Sequence, residues 1–213
     1  RDPRAAHLLA EFVVVGYGQD LGDLAKFHLQ RQGGMLAVPA LRRQIPLVPD
    51  VQIRADLVLL LGLYQDPENV PDLMDLLRMP NFAAETVPVI EGTTGLKLSS
   101  VPDRVAAMQS WWRQSKDVAQ WQWLLDALKR HKVPTKLVHD DFASDSGMAA
   151  VEELTRLMVE VQYPRLWMLS SAVLRSVTKQ DFGVVTAQTP PDTREGMASR
   201  YRLVAEAAQA EKK

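Results

Sequence analysis

The sequence contains no cysteine, and this absence removes several kinds of chemistry at once. Disulfide bonds, thiolate metal sites and cysteine nucleophiles are all excluded. The absence does not fix the compartment, because cytoplasmic and exported proteins can both lack cysteine. Since the sequence begins at Arg1 and not at methionine, we expect a trimmed or processed chain, from which a signal peptide could have been removed.

Long apolar runs and an excess of charge are also missing. The stretch from Leu8 to Val15 falls short of the roughly 18 apolar residues that span a bilayer, and Glu11 interrupts it. The net charge of -1 gives no general attraction to nucleic acid or to anionic lipid. We therefore predict a soluble protein with neither direct membrane insertion nor a nucleic-acid partner.

A pattern of helix boundaries recurs about every 32 residues. Val38-Pro39 is followed by Pro49-Asp50-Val51 and a long apolar helix, and 32 positions after Val38 comes Val70-Pro71, followed by Pro80-Asn81-Phe82 and a second apolar helix. A longer repeat matches residues 70–113 with residues 151–202. Self-similarity at these spacings is typical of stacked helix pairs that cannot bury their apolar faces alone.

Apolar residues follow helical spacing along the whole chain, which predicts an all-α protein of about ten to twelve helices. Asp50, Asp66 and Asp117 are predicted to cap helices. Pro88 predicts a kink or a late start in the helix that contains it. Two further sets of residues are predicted to be buried. The inward stripe of the second helix is predicted to contain Leu21, Leu24, Phe27 and His28. The contacts between paired helices are predicted to bury Leu73, Leu77, Leu154 and Val173.

The residues from Val38-Pro39 to Leu41, with Asp50-Val51 and Arg54-Ala55, resemble a HEAT repeat, as do their partners from Val70. The segments that follow the two helix pairs, Gly92–Trp112 and Val177–Tyr201, resemble the corresponding segments of some bacterial HEAT-repeat proteins. This resemblance implies an α-solenoid of antiparallel helix pairs that binds protein, and it carries no catalytic residues across. Residues 117–147 insert between repeats, so we expect an irregular solenoid.

The same patterns divide the chain into four parts. Residues 1–35 are predicted to form an N-terminal helical pair, and residues 36–132 HEAT-like repeats with additional helices. Residues 133–147 are predicted to be an unstructured linker, and residues 148–213 a C-terminal HEAT-like unit with a terminal helix.

The strongest enzyme-like pattern is Glu11 to Gly22, which contains Gly16, Gly18 and Gly22. A strand, a glycine-rich turn and a helix would bind a dinucleotide here. The third glycine falls one position late, and no acidic residue ends a second strand downstream. The alternative is an apolar helix that ends at Gly16, and on that interpretation we predict no cofactor.

Two other clusters have both a chemical and a structural interpretation. His139, Asp140, Asp141 and Asp145 could hold a divalent cation, or Asp145 could simply cap the next helix. Lys129, Arg130, His131, Lys132 and Lys136 could contact phosphate, or they could complement the C-terminal dipole of their helix. We predict no metal site and no catalytic residue, since neither cluster comes with a supporting motif.

Five tryptophans remain. Trp112 and Trp121 fall on apolar seams and are predicted to be core. Trp111, Trp123 and Trp167 lie off the seams of their helices, so each is either packed against an adjacent repeat or exposed as a protein-binding anchor.

We therefore predict a non-enzymatic helical-repeat scaffold that binds another protein through the helices at 51–64, 82–94 and 164–178. Trp167, Trp111 and Trp123 are its candidate binding residues. Two alternatives remain open: a nucleic-acid-binding or base-processing solenoid, and a nucleotide-dependent enzyme that uses the Gly16–Gly22 turn.

Overall fold

The protein is helical throughout residues 2–143 and 148–211, the parts that the computed structural model describes. Twelve α-helices and three short 3₁₀ turns lie in these residues, without any β-strand. The α-helices are α1 (Pro3–Val15), α2 (Asp20–Gln32), α3 (Gly34–Gln44), α4 (Val51–Gly62), α5 (Val70–Leu77), α6 (Pro80–Thr94), α7 (Arg104–Ser115), α8 (Gln120–Arg130), α9 (Asp140–Ala143), α10 (Val151–Glu160), α11 (Pro164–Thr178) and α12 (Pro191–Ala210). The predicted all-α class is confirmed for these residues. None of these helices combines the length and apolar character needed to cross a bilayer.

Two of the predicted aspartate caps are present. Asp50 Oδ1 accepts hydrogen bonds from the backbone N–H of Gln52 at 2.8 Å and of Ile53 at 3.0 Å, at the start of α4. Asp66 Oδ1 accepts the backbone N–H of Glu68 at 3.1 Å, in the 3₁₀ turn that leads into α5. These carboxylates satisfy N–H groups that have no partner within the first helical turn.

The predicted cap at Asp117 is wrong. The backbone N–H of Val118 donates to the carbonyl oxygen of Ser115, so the chain is still turning after α7 at this point. The next helix begins only at Gln120, with Ala119 as its N-cap residue and no side-chain cap. A capping residue in a sequence marks a helix start only when the backbone has already left the preceding turn.

Pro88 does not delay the start of its helix. The helix α6 runs from Pro80 to Thr94 with Pro88 in its interior, so the late start allowed by the sequence is wrong. Pro88 is exposed, and the carbonyl of Ala84, which loses its usual N–H donor, belongs to an exposed residue as well. Solvent can satisfy this carbonyl, which lowers the cost of an interior proline.

The buried apolar residues form two clusters that meet at α4. The first cluster lies among α1, α2, α3 and α4, and the second extends from α4 to α12. Helix α4 contributes Leu57, Leu60 and Leu61 to the first cluster and Ala55 and Val58 to the second. It is therefore apolar on both sides and joins the two clusters.

The four residues predicted to lie between paired helices are buried, with exposed fractions of 4% or less: Leu73, Leu77, Leu154 and Val173. All four belong to the second cluster. The helical periodicity therefore assigned the buried faces of α5, α10 and α11 correctly.

The predicted inward stripe of α2 is wrong, because Leu21, Leu24, Phe27 and His28 are all exposed. The inward face of α2 consists instead of its buried residues Gly22, Ala25 and Leu29. A Cβ atom on Gly22 would collide with the carbonyl oxygen of Gly16 at the end of α1. The small residues allow this close approach, and they turn the larger apolar side chains outward.

Residues 133–147 were predicted to be an unstructured linker, and the described part of this segment is more ordered than that. It contains the short helix α9, and residues 134–136 are attached to α10 through Glu153 and Arg156. Glu153 Oε1 accepts hydrogen bonds from Thr135 Oγ1 and from the backbone N–H of Lys136, both at 3.0 Å. Arg156 donates to both oxygens of the same carboxylate, and to the carbonyl oxygen of Pro134 at 3.1 Å.

Candidate functional site

Two adjoining cavities, with volumes of about 540 Å³ and 430 Å³, form a concave feature in the surface of the described residues. Pro67, Ala119 and Gln120 line both cavities, so the two form one continuous groove. Its walls come from α3, the α4–α5 connection, the start of α8 and the end of α11. We refer to it as the groove.

The wall of the larger cavity is held in place by a network around Gln65. Arg175 Nη2 donates to the carbonyl oxygen of Tyr64 at 2.5 Å and to Gln65 Oε1 at 2.9 Å. Gln65 Nε2 donates to the carbonyl oxygen of Val185 at 3.2 Å, and Gln120 Nε2 donates to the carbonyl oxygen of Gln65 at 2.8 Å. Gln65 has a φ of 52°, in the left-handed region, and these contacts offset the strain of that conformation.

Asp181 connects the groove to the start of α3. Its carboxylate accepts hydrogen bonds from the backbone N–H of Met35 at 3.2 Å and of Gly183 at 2.9 Å. Asp181 is only 6% exposed. A Cβ atom on Gly33 would lie 2.8 Å from this carboxylate, and Gly33 has a φ of 87°. Glycine at this position therefore permits both the backbone turn and the close approach of Asp181.

Two ionisable groups of the groove serve its structure. Burial raises the pKa of Tyr64, and the charge of Asp181 raises it further; the Tyr64 hydroxyl remains protonated and donates to the carbonyl oxygen of Leu29 at 3.1 Å. Burial also raises the pKa of Asp66, while its ion pair with Arg42 opposes that shift. Tyr64 and Asp66 are thus engaged in contacts within the protein, whereas Glu68, Lys116 and Arg175 add charged groups to the lining of the groove.

Aromatic and aliphatic side chains line the smaller cavity. Trp112 is half-buried and stands beside Pro71 and Val118, with Glu68 and Lys116 at the edge of the cavity. The sequence interpretation placed Trp112 in the core, and the structure leaves part of it accessible. An accessible indole next to proline and aliphatic groups is typical of sites that bind apolar side chains.

The predicted binding residues Trp111 and Trp123 belong to the same tryptophan cluster as Trp112. Trp123 is 3% exposed and donates its indole N–H to the carbonyl oxygen of Ser115 at 3.0 Å, although part of it reaches the smaller cavity. Trp111 is half-buried, and its ring lies edge-on to that of Trp123 with a centroid distance of 5.0 Å. For both residues this geometry favours the packing alternative.

Trp167 lies elsewhere and is covered by α12. It is half-buried, and the guanidinium carbon of Arg194 lies 3.7 Å from its ring centroid. Arg194 is 5% exposed, burial lowers its pKa, and it donates to the carbonyl oxygens of Met158 and Val159. This cation–π contact favours packing for Trp167 too.

The glycine-rich turn lacks the strand that a dinucleotide site requires. Residues Pro3–Val15 form α1, Gly16 is its C-cap residue, and Gly18 occupies the turn with a φ of 72°. Gly22 lies inside α2, and its lack of a side chain allows the backbone at Gly16 to approach α2 closely. This geometry favours the alternative interpretation, an apolar helix that ends at Gly16.

The three described members of the proposed cation-ligand set, His139, Asp140 and Asp141, do not converge on one point. His139 Nδ1 lies 3.8 Å from Asp140 Oδ1, and both side chains are exposed. Asp141 Oδ2 accepts the backbone N–H of Val138 at 2.8 Å, and Asp145 lies outside the described residues. In residues 2–143 and 148–211 no three His, Asp or Glu side chains are placed to hold a metal ion.

The basic run around the end of α8 is partly engaged in structural contacts. Arg130 Nη1 donates to the carbonyl oxygen of Gly95 at 3.1 Å. The pKa of His131 is lowered, first by burial and then by Arg165, Arg130 and Lys97. Arg165 donates to the carbonyl oxygen of Leu96 and lies 3.6 Å from Glu91.

The groove residues that the sequence interpretation missed are Met35, Gln65, Gln120 and Arg175. They come from four separate parts of the chain, and no local motif contains two of them. The one signal was the Trp111-Trp112 pair, because adjacent residues on a helix cannot share one buried seam.

Comparison with known proteins gives no further assignment: the chain matches no family model, no curated protein and no solved structure.

Proposed function

We propose that the protein is a non-enzymatic helical binding module whose groove holds an extended segment of another protein. The observation that carries this proposal is the continuity of the two cavities across Pro67, Ala119 and Gln120. An elongated, mostly apolar groove with hydrogen-bonding side chains at Gln65, Gln120 and Arg175 matches a peptide better than a compact metabolite, because a peptide presents side chains and backbone amides in alternation.

The two halves of the groove suit different parts of such a segment. Beside Trp112 and Pro71, an apolar side chain would lose water-exposed surface. Near Gln120 and Arg175, the backbone amides of the segment would meet hydrogen-bonding side chains. The groove frame is already fixed by the Gln65 network, so binding would require little ordering of the protein.

The proposed architecture is an irregular solenoid of antiparallel helix pairs of the HEAT type. In its support, α1 packs extensively on α2, α5 on α6, and α10 on α11, as consecutive helices joined by short connections. The groove differs from the surface expected for such a solenoid. Of the three helices expected to line it, α11 contributes Ala172, Arg175 and Ser176, the predicted 51–64 stretch contributes only Tyr64, and α6 contributes nothing.

The test is a selection of peptides from a displayed random library, followed by measurement of Kd for the enriched peptides. Ala119 is exposed and lines both cavities, so Ala119→Phe fills the centre of the groove without changing the core. The matched control is Ala84→Phe, at an exposed position of α6 outside the groove. We expect Ala119→Phe to raise Kd at least about tenfold and Ala84→Phe to leave it unchanged.

The proposal fails if no peptide is enriched, or if the enriched peptides bind both variants equally well. Far-ultraviolet circular dichroism of both variants confirms that the helices are intact before binding is compared.

A further inference from the structure

Two consecutive helices, α1 and α2, contain nearly half of the large apolar side chains that are exposed in the described residues. Of the thirteen large apolar side chains that are exposed in the described residues, six lie on α1 and α2: Leu8, Phe12, Val15, Leu21, Leu24 and Phe27. Single exposed apolar residues are common on protein surfaces, but a contiguous group marks an interface.

Along the exposed face of α2, charged and apolar residues follow one another in a definite order. At 100° per residue, Asp20, Leu24, Phe27 and Arg31 lie within one narrow stripe, on the side away from the buried residue Leu29. The stripe therefore consists of an acidic residue, two large apolar residues and a basic residue. Within residues 2–143 and 148–211, neither Asp20 nor Arg31 forms an ion pair.

This stripe is complementary to itself when it is reversed. If a second α2 lies antiparallel across a two-fold axis that passes between Leu24 and Phe27, then Leu24 of each copy meets Phe27 of the other. Asp20 of each copy then meets Arg31 of the other. A two-fold interface requires such self-complementarity, because the same surface must serve on both sides.

Helix α1 also has an exposed apolar stripe. Leu8, Phe12 and Val15 follow helical spacing on its exposed side, opposite its buried residues Ala6 and Val13. The inner faces of α1 and α2 both contact the first cluster, and the two helices pack along each other. The outer face of each helix therefore points away from this core, and we call these two outer faces together the α1–α2 face.

From this complementarity we propose that the α1–α2 face binds a second copy of the same chain, with the two α2 helices antiparallel. The two apolar stripes would bury each other, and two Asp20–Arg31 ion pairs would fix the direction of the helices. This proposal does not depend on the groove, because no residue of either stripe lines it.

The first experiment is sedimentation equilibrium over a wide range of protein concentration. We expect a species of twice the 23.8 kDa mass of one chain. Leu24→Glu should raise the dissociation constant of the dimer at least about thirtyfold, because it places a charge at the centre of the interface. The matched control is Leu203→Glu, at a 63% exposed leucine of α12, which should leave the dimer intact.

The second experiment tests the antiparallel pairing directly. Asp20→Arg alone should weaken self-association, because the new arginine would face Arg31 of the second copy, and Arg31→Asp alone should weaken it for the converse reason. A mixture of the two variants should form heterodimers, since the arginine introduced at position 20 of one chain would then meet the aspartate introduced at position 31 of the other. Changes in the intrinsic stability of α2 affect a variant equally in both settings, so the mixture isolates the pairing.

A wild-type protein that remains a monomer at every concentration overturns the proposal, and the α1–α2 face then serves a different partner. Dimers that withstand Leu24→Glu, or mixed variants that do not pair, overturn it as well. Circular dichroism at 222 nm confirms that each variant is folded.

Discussion

Replacement of Glu153 by glutamine is expected to lower the free energy of unfolding by up to about 3 kcal/mol at neutral pH. The carboxylate lies between α10 and residues 134–136, and its side chain is only 10% exposed. The hydrogen bonds from Arg156 are the main cause that holds the pKa of Glu153 at about 2, against an ordinary value of 4.5. Those from the Lys136 backbone and from Thr135 lower it further, and burial opposes them.

The pH dependence follows from the sign of this shift. A carboxyl group with a lowered pKa in the folded state binds its proton less tightly there than in the unfolded chain. Its contribution is therefore complete above about pH 5 and declines as the pH falls toward about 2. The difference of about 2.5 pKa units corresponds to about 3 kcal/mol at neutral pH, and about 1.4 kcal/mol of it remains at pH 3.

The assay is urea unfolding of the wild type and of Glu153→Gln at about pH 7, 5 and 3. Glutamine keeps the shape of the side chain and one acceptor oxygen, so the variant removes mainly the charge. The matched control is Glu152→Gln, at the exposed neighbouring position of α10. A difference between wild type and Glu153→Gln that stays constant from pH 7 to pH 3, or that equals the effect of Glu152→Gln, would refute the reasoning.

Two further substitutions test the packing of α2 and α12. Gly22→Ala should destabilise the protein by about 1–3 kcal/mol, because the added methyl group meets the carbonyl oxygen of Gly16. Gly196→Ala is its control in urea unfolding and should stabilise α12 by about 0.5–1 kcal/mol, since nothing lies within 4 Å of the new Cβ; equal effects would contradict the packing argument. Trp167→Ala should cost about 2 kcal/mol or more and lower Tm, because it removes the ring that covers the buried guanidinium of Arg194, and an unchanged Tm would show that this contact does not stabilise the fold.

The helices themselves could be predicted from the sequence, because periodicity and capping act over a few neighbouring residues. Asp50 and Asp66 marked helix starts correctly, and the apolar spacing of Leu73 and Leu77 identified a buried face. The prediction at Asp117 was wrong because the next helix begins two residues later than an N-cap at Asp117 would place it. Local signals thus gave the elements and most of their boundaries.

The face of α2 could not be predicted from periodicity alone. A stripe that contains Leu21, Leu24 and Phe27 has the same spacing whether it faces a core or a partner. The choice depends on Gly22 and Ala25, whose small side chains let α2 approach the end of α1. The size of the side chains where α1 and α2 meet therefore decides which face of α2 is buried, and this depends on both helices together.

The groove could not be predicted from the sequence, for a similar reason. Arg175 and Gln65 are 110 positions apart, and their contact depends on how the two clusters are joined. No spacing within one helix predicts it. The tryptophans were singled out because of their size, and yet the half-buried tryptophan that lines the groove is Trp112, which periodicity assigned to the core.

The contacts of Gln65 and Asp181 also bear on how the protein loses its structure. In a linear array of helix pairs each unit touches only its neighbours, so the array can unravel stepwise from either side. Here Asp181 binds the backbone of Met35 across 146 positions, and Gln65 binds Val185 across 120. Opening α11 or the segment after it would therefore also release the start of α3 and the α4–α5 turn. Parts that are distant in sequence share one free energy of opening, and we expect them to exchange their amide hydrogens together.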